Sequence, residues 1–289
     1  MREKYSGILL LLFLTLGFSN LFSQLKYYEA QFKGGVTGAG YSPAYDDGGT
    51  GLFTINIPPG STIHKAYLFA SRYGMAPAVT VTLNGTNLVF DMPSQVTNTF
   101  QSAYYGGNSA VHALDLTATL NPATQNYTLV IPTTQSSTSD RYQDFYLYVA
   151  YDNPGLNTVN TAVFLDTLNI IDSIPMNIHP TLPIPNTTDV GVALFCGYMC
   201  DSVSDGEYVW INNTQISKTK IGGPDVNSGS CGGPIGSFYY KNGTLTGLSD
   251  DNADLKVAGG ECLSNVRSVI ANNTPNFYVN FEKNTGKVQ

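Results

Sequence analysis

Charge is scarce in this chain: only 12% of its 289 residues are Asp, Glu, Lys or Arg. The 14 basic residues are outnumbered by 21 acidic ones, for a formal charge of -7, and they gather in no cluster. Nucleic-acid binding depends on cationic side chains that displace counterions from phosphate, so nucleic acid is not an expected partner. Histidine is rarer still, with three in the chain. His64, His112 and His179 lack the spacing that brings two imidazoles to one metal. His64 and His112 read as surface or hydrogen-bonded core residues. There is no Gly-x-Ser-x-Gly elbow to expose a serine nucleophile. The glycine-rich run from Gly34-Gly35 to Gly40 has no strand-to-helix unit behind it to cradle phosphate, and reads as a flexible loop. A glycosidase needs two carboxyl groups flanking one bond. Asp46, Asp47, Glu207, Asp250 and Glu261 could supply such a pair, but the sequence does not place them together, and acids this scattered default to solvated loop positions. No catalytic residue is assigned, and the chain is not expected to be an enzyme.

Long apolar runs are also missing. A spanning helix needs roughly 20 apolar residues, and the one hydrophobic stretch, Ile8 to Phe18, turns polar before that. It follows Arg2 and Lys4 and leads through Ser19-Asn20 to Leu21-Phe22-Ser23-Gln24. Basic, apolar and polar segments in that order make a secretory signal peptide, here residues 1–23, with cleavage before Gln24. The rival, a membrane anchor, requires a longer run. No cysteine lies near the cleavage point to carry a lipid. The mature chain is therefore expected to be secreted or held at the cell surface, with no transmembrane segment.

Cysteine is absent from the first half and then occurs four times, as Cys196, Cys200, Cys231 and Cys262. In an oxidising compartment an even count reads as disulfides, with three possible pairings. Zinc is the competing reading, but it favours paired short spacings and only Cys196 and Cys200 are close together. Residues four apart on a straight strand stand about 13 Å apart, beyond disulfide reach. A Cys196–Cys200 bond would need a turn at Gly197. The pairing stays open.

What the sequence does have is tyrosine, 19 residues against a single tryptophan, in a chain that is 42% hydrophobic. No helical period is sustained. Short runs rich in Val, Ile, Thr, Tyr and Phe, punctuated by Gly, Asn and Pro, predict an all-β fold. Strands are expected at Leu52–Ile57, Lys65–Ala70, Val79–Leu83, Tyr127–Ile131, Phe145–Tyr151 and Thr161–Leu165. Asn84-Gly85 and Asn242-Gly243 are the dipeptides of two-residue hairpin turns. Pro58-Pro59-Gly60 and Asn153-Pro154-Gly155 end strands.

A weak internal repeat is present. Ile55-Asn56-Ile57-Pro58-Pro59 matches Met176-Asn177-Ile178-His179-Pro180, and Ala66-Tyr67-Leu68-Phe69 matches Val192-Ala193-Leu194-Phe195. Val81 to Thr86 matches Val209 to Thr214, and Asp144-Phe145-Tyr146-Leu147 matches Asn276-Phe277-Tyr278-Val279. The order is the same in both halves, which predicts two tandem β-sandwich domains of jelly-roll or Ig-like type. The alternative is one long sheet protein with look-alike strands. The expected division is 24–175 for the first domain, 176–186 for a linker and 187–289 for a disulfide-braced second. The first copy runs on into a strand at Val159–Ile171 with no match in the second. A strand-pairing partner or further chain is expected at that second edge.

Two ligand sites are candidates. Asp250, Asn252, Asp254 and Glu261 place oxygen donors at the first, third, fifth and twelfth positions of a calcium loop, although Leu255 replaces the usual turn glycine. The competing reading is a hydrated turn. Tyr104-Tyr105 and Tyr239-Tyr240 lie beside glycine or Asn-Gly turns, where flat rings stack on sugars. Their ordinary alternative is alternation on a half-buried strand.

The run Ile57-Pro58-Pro59-Gly60, Ala66 to Phe69, Val81 to Gly85 and Phe145 to Tyr151 with Asp152-Asn153-Pro154 resembles a family of large secreted microbial surface proteins built from β-sandwich domains. The leader ending Phe22-Ser23-Gln24 is similar to those of bacteria with type IX secretion and gliding adhesins. The resemblance implies a cell-surface or extracellular role in adhesion, on a glycan or a surface protein, and names no catalytic residue. Asp166-Thr167-Leu168, Asp172-Ser173-Ile174 and Asp201-Ser202-Val203 look like the O-glycosylation acceptors of such bacteria. The alternatives are a structural module of a larger surface assembly and an extracellular carbohydrate-active enzyme.

Overall fold

A computed structural model describes residues 25–41, 48–72, 74–97, 100–101, 108–133, 140–165, 176–181, 184, 190–192, 207–212, 214–215, 264–265, 270–271 and 273–283. The predicted leader lies outside them. Apart from one short 3-10 turn at Met92–Ser94, every element described is a β-strand, as the absence of a helical period predicts.

The first ten strands are β1 (Leu25–Tyr41), β2 (Gly49–Thr54), β3 (Thr62–Arg72), β4 (Val79–Leu83), β5 (Thr86–Phe90), β6 (Phe100–Gln101), β7 (Asn108–Asp115), β8 (Asn126–Ile131), β9 (Tyr142–Asp152) and β10 (Thr158–Leu165). They form two antiparallel sheets, one ordered β10-β1-β9-β3-β7-β6 and the other β2-β8-β4-β5. Strand periodicity decides how these sheets stack. β8 alternates strictly, burying Tyr127, Leu129 and Ile131 while Asn126, Thr128 and Val130 face out. β4 buries Val79, Val81 and Leu83 in the same way. These are one-sided strands. From Phe145 to Tyr151, β9 is instead buried without a break, as a strand covered on both faces must be.

One face of β9 carries Phe145, Leu147, Val149 and Tyr151 into a core shared with Phe53, Val81, Phe90 and Leu129 of the smaller sheet. The two sheets thus close on one apolar interior. Burying each such aromatic or aliphatic side chain contributes about 1.5–3 kcal/mol. Tyr41 and Gly51 show how tightly the layers meet, because a Cβ added to Gly51 would run into the Tyr41 ring.

The other face of β9 is covered by the chain's own start. Residues Gly34–Tyr41 of β1 pair with β9, whereas Leu25–Lys33 pair with β10. β1 turns a corner between these halves. The Gly34 amide donates to the Asn157 carbonyl (3.2 Å) and the Asn153 amide to the Lys33 carbonyl (2.8 Å), which closes the corner. A side chain at Gly34 would strike the Tyr151 carbonyl, and one at Gly35 the Tyr151 phenol. The glycine-rich run expected as a flexible loop is therefore strand, and its glycines make room for tyrosines on the neighbouring strand. Beyond the corner the β1/β10 ribbon lies over the sheet. Tyr27 and Tyr28 pack edge-on against Tyr67 at 5.1 and 5.7 Å, and Tyr148 Oη is 2.7 Å from Thr161 Oγ1. His64 stacks on Phe32 (4.2 Å between centroids) and reaches Asp152 (3.0 Å), a bonded and half-exposed histidine.

A second set of strands follows: β11 (Met176–Ile178), β12 (Gly191–Val192), β13 (Glu207–Ile211), β14 (Thr214–Gln215), β15 (Ser264–Asn265) and β16 (Phe277–Lys283). Four of them form a sheet ordered β11-β16-β13-β14, the same antiparallel order as β2-β8-β4-β5. β12 pairs with β15 as β3 pairs with β7. The 176–178 stretch, expected to be linker, is thus a strand in this sheet.

The hairpin turns repeat too. Leu83 pairs with Thr86 across Asn84-Gly85, and Ile211 pairs with Thr214 across Asn212-Asn213. Both Asn84 and Asn212 adopt φ 47°, the left-handed conformation that asparagine tolerates. These pairings correct one match drawn from sequence. Phe277-Tyr278-Val279 take the place of Tyr127-Thr128-Leu129 in β8, not of Phe145-Tyr146-Leu147 in β9. Aromatic alternation is common to both strands and could not separate them; the partner strands do. One further contact joins this region to the first set of strands. Thr181 donates its amide to Glu29 Oε1 (2.7 Å) and its hydroxyl to Glu29 Oε2, and it accepts from Lys26 Nζ (3.0 Å).

Candidate functional site

The residues singled out from sequence for ligands lie outside the described residues. This holds for Asp250, Asn252, Asp254 and Glu261, for Tyr104, Tyr105, Tyr239 and Tyr240, and for Cys196, Cys200, Cys231 and Cys262. Among the described residues no group of three or more His, Cys, Asp or Glu is placed to hold a metal ion. No helix among them is long and apolar enough to cross a membrane. Two features remain as candidates: a buried polar cluster and the outward faces of the two four-stranded sheets.

The buried cluster starts from the 3-10 turn. Asp91 and Ser94 cap it reciprocally: the Ser94 amide donates to Asp91 Oδ1 (3.2 Å) and the Asp91 amide to Ser94 Oγ (3.0 Å). Ser94 Oγ also donates to the Asp91 carbonyl (2.7 Å) and lies 2.9 Å from Nδ1 of His112 on β7. The serine's only proton is already placed on that carbonyl, so His112 carries its own proton on Nδ1. A serine beside a histidine invites comparison with a nucleophile and its base, but the geometry is wrong for that. The Asp91 carboxylate serves the turn rather than the imidazole, and His112 is 0% exposed. Burial first, and the charge of Arg72 second, push the His112 imidazole down to about 4, so it is neutral near pH 7. Arg72, 2% exposed, donates to Gln95 Oε1 (2.9 Å) and points another guanidinium nitrogen at Met92 Sδ (3.6 Å). This cluster braces the turn against β3 and β7.

The outward face of β2-β8-β4-β5 is the second candidate, and it is free of charge. Across it run Leu52, Thr128 and Asn84 in one row and Thr50, Val130, Thr82 and Asn87 in the next. Leu52, Val89 and Val130 are each at least 38% exposed there.

In β11-β16-β13-β14 the backbone register sets Asn177 beside Tyr278, Trp210 beside both Asn280 and Gln215, and Tyr208 beside Glu282. Tyr278 is turned outward, being 45% exposed between buried Phe277 and Val279.

No protein-family model matches this chain, and neither a curated protein nor a solved structure is similar to it. Function has to be read from these surfaces alone.

Sequence reasoning overlooked both features. The Ser94–His112 contact joins residues 18 apart on different elements and leaves no local motif. Strand β13 did leave one: Tyr208-Val209-Trp210-Ile211-Asn212 alternates ring or amide with aliphatic residues, the two-residue period of a strand.

Proposed function

We propose that this chain is a secreted or cell-surface recognition protein, an adhesin built from tandem β-sandwich domains, with extracellular glycan as its partner. The observation that supports this reading is the reuse of one strand frame, with exposed Thr128 in the first sheet answered by exposed Tyr278 in the second. Asn84 grips Thr128, and Asn212 grips Tyr278, in sheets of the same order. Interior positions stay apolar in both: Tyr127 and Leu129 correspond to Phe277 and Val279, all buried. A repeated frame suits a surface protein built from tandem domains. The leader and the low charge agree with work outside the cytoplasm. Four cysteines are suited to disulfides there.

Calcium belongs to the proposal through Asp250, Asn252, Asp254 and Glu261. The test is a glycan array probed with the mature chain, Gln24 onward, in calcium and again in EDTA. Selective, saturable binding is the expected result, and its loss in EDTA would tie the ion to recognition. Turnover of a glycan, abolished by replacing one Asp or Glu, would replace the adhesin reading with an enzyme.

A further inference from the structure

Arg72 is a buried cation in weak company. It is 2% exposed, yet no Asp or Glu among the described residues forms an ion pair with it. Nη2 donates to the neutral Gln95 Oε1 (2.9 Å), and Nη1 points at Met92 Sδ (3.6 Å). Nε has no hydrogen-bond partner among the described residues. A guanidinium withdrawn from water is costly unless strong acceptors surround it. A thioether sulfur is a weak one. The turn sets this arrangement, because Met92 opens it and Gln95 closes it, with the Gln95 amide donating to the Met92 carbonyl (3.1 Å). Gln95 Nε2 donates to the Thr97 carbonyl (2.7 Å), which keeps Oε1 turned toward Arg72.

Met92, by contrast, is 59% exposed. One side of its thioether meets the buried cation while the side chain as a whole meets solvent. We infer that Met92 is a modification site, oxidised by hydroperoxide to the sulfoxide, and that the new oxygen binds Arg72 in place of the sulfur. In that step a sulfur lone pair attacks one peroxide oxygen, so that an S–O bond forms as the O–O bond breaks. The leaving hydroxide takes the proton of the transferred oxygen and departs as water. Sulfur is oxidised and the peroxide reduced. The unbranched, flexible side chain lets the S=O group turn to the guanidinium. Hydrogen bonds from a charged donor to oxygen are among the strong ones. Methionine oxidation ordinarily loosens a fold, because an apolar side chain inside it becomes polar. Met92 lies at the surface beside a poorly bonded cation, so the sign is reversed. The oxidised turn is held more tightly to β3.

The test treats the full mature chain with hydrogen peroxide, following each methionine by peptide mass mapping and the fold by urea unfolding. Met75, 70% exposed, sets the pace of an accessible methionine, and Met92 is expected to react alongside it. The urea midpoint should then rise, with the ratio of folded to unfolded chain up by about tenfold, the scale of one hydrogen bond to a charged group. Met92→Gln carries an amide oxygen on the atom that replaces sulfur, and should raise the midpoint with no oxidant present. Met92→Leu offers no such oxygen, and should lack the gain while still reporting any effect of oxidation elsewhere. A midpoint that falls or stays level when Met92 is oxidised would overturn the proposal. So would a Met92→Gln chain no more stable than Met92→Leu. Met92 left intact while Met75 is consumed would overturn it as well, by showing its sulfur to be out of reach.

Discussion

Asn84 and Asn212, 128 positions apart, hold the same post in two different sheets. Each stands at φ 47° at a hairpin turn, and each accepts the amide of a residue on the neighbouring strand, Thr128 at 2.7 Å and Tyr278 at 2.9 Å. Each also donates its own amide back, at 2.9 and 3.0 Å, so the turn and the third strand are clamped together. The hairpin sets its own register, and the clamp sets the register of the strand beside it.

The clamp yields a stability test. Asn84→Ala removes the acceptor and places a Cβ residue without a polar side chain in left-handed space. Asn84→Gly removes the acceptor but keeps the backbone at ease. The alanine variant is expected to lose about 1–3 kcal/mol and the glycine variant about 1 kcal/mol less than that. Urea unfolding of the full chain, followed by tyrosine fluorescence, measures both. Equal losses would mean that the side-chain bond alone matters.

A packing test comes from Tyr41 and Gly51. Gly51→Ala drives a methyl into the buried Tyr41 ring, and overpacking of this kind costs about 1–3 kcal/mol. Tyr41→Leu costs its own cavity, but the double variant should be more stable than the two single losses predict. Strict additivity in the cycle would disprove the contact.

Acid provides a third. The His112 imidazole is held at about 4 in the fold, against an ordinary value of 6.5. The unfolded chain takes up a proton below pH 6.5 and the native chain does not until about pH 4. The neutral imidazole therefore stabilises fully above pH 6.5, and the advantage drains away as pH falls from 6.5 to 4. The loss is on the order of 3 kcal/mol for a shift of this size. Arg72 and Asp91 are the charged groups facing the imidazole. His112→Asn should flatten the slope between pH 6.5 and 4 relative to the unaltered chain. Parallel stability curves for the two would show that His112 does not titrate as described.

The ribbon over the sheet makes a fourth. Tyr148→Phe deletes the bond to Thr161, worth about 0.5–1.5 kcal/mol. Amide exchange in Thr158–Leu165 should quicken by up to tenfold while β4 and β8 stay unchanged. Uniform acceleration throughout would indicate global destabilisation and not a loosened ribbon.

The sequence was most readable where a strand has one wet face. Val79–Leu83 was placed to the residue, and Tyr127–Ile131 to within one, because their alternation has no rival reading. β9 was also visible, since an unbroken run of apolar residues between turn signals has few other uses. β1 was not, because Gly34, Gly35, Gly38 and Gly40 look like slack chain. What makes them strand is the bulk of Tyr146 and Tyr151 on the adjacent β9, information that sits more than 100 residues away. The neighbourhood of Tyr278 was hidden for a related reason. β13 and β16 are distant in sequence, and only their pairing brings them together. The asparagine turn was legible as a hairpin, but its grip on a third strand was not.

The corner in β1 has a mechanical consequence. Leu25 and Leu165 are direct partners at the open end of the β1/β10 ribbon, so tension along the chain enters and leaves the first unit at one point. Antiparallel strands pulled apart from a shared end part bond by bond, like a zipper, and yield at low force. Strands drawn past each other must break many bonds together. The ribbon would open first under load and stop at the Gly34 corner, where the pull turns onto β9. The first unit would thus lengthen by a short, reversible step before its core carried any strain.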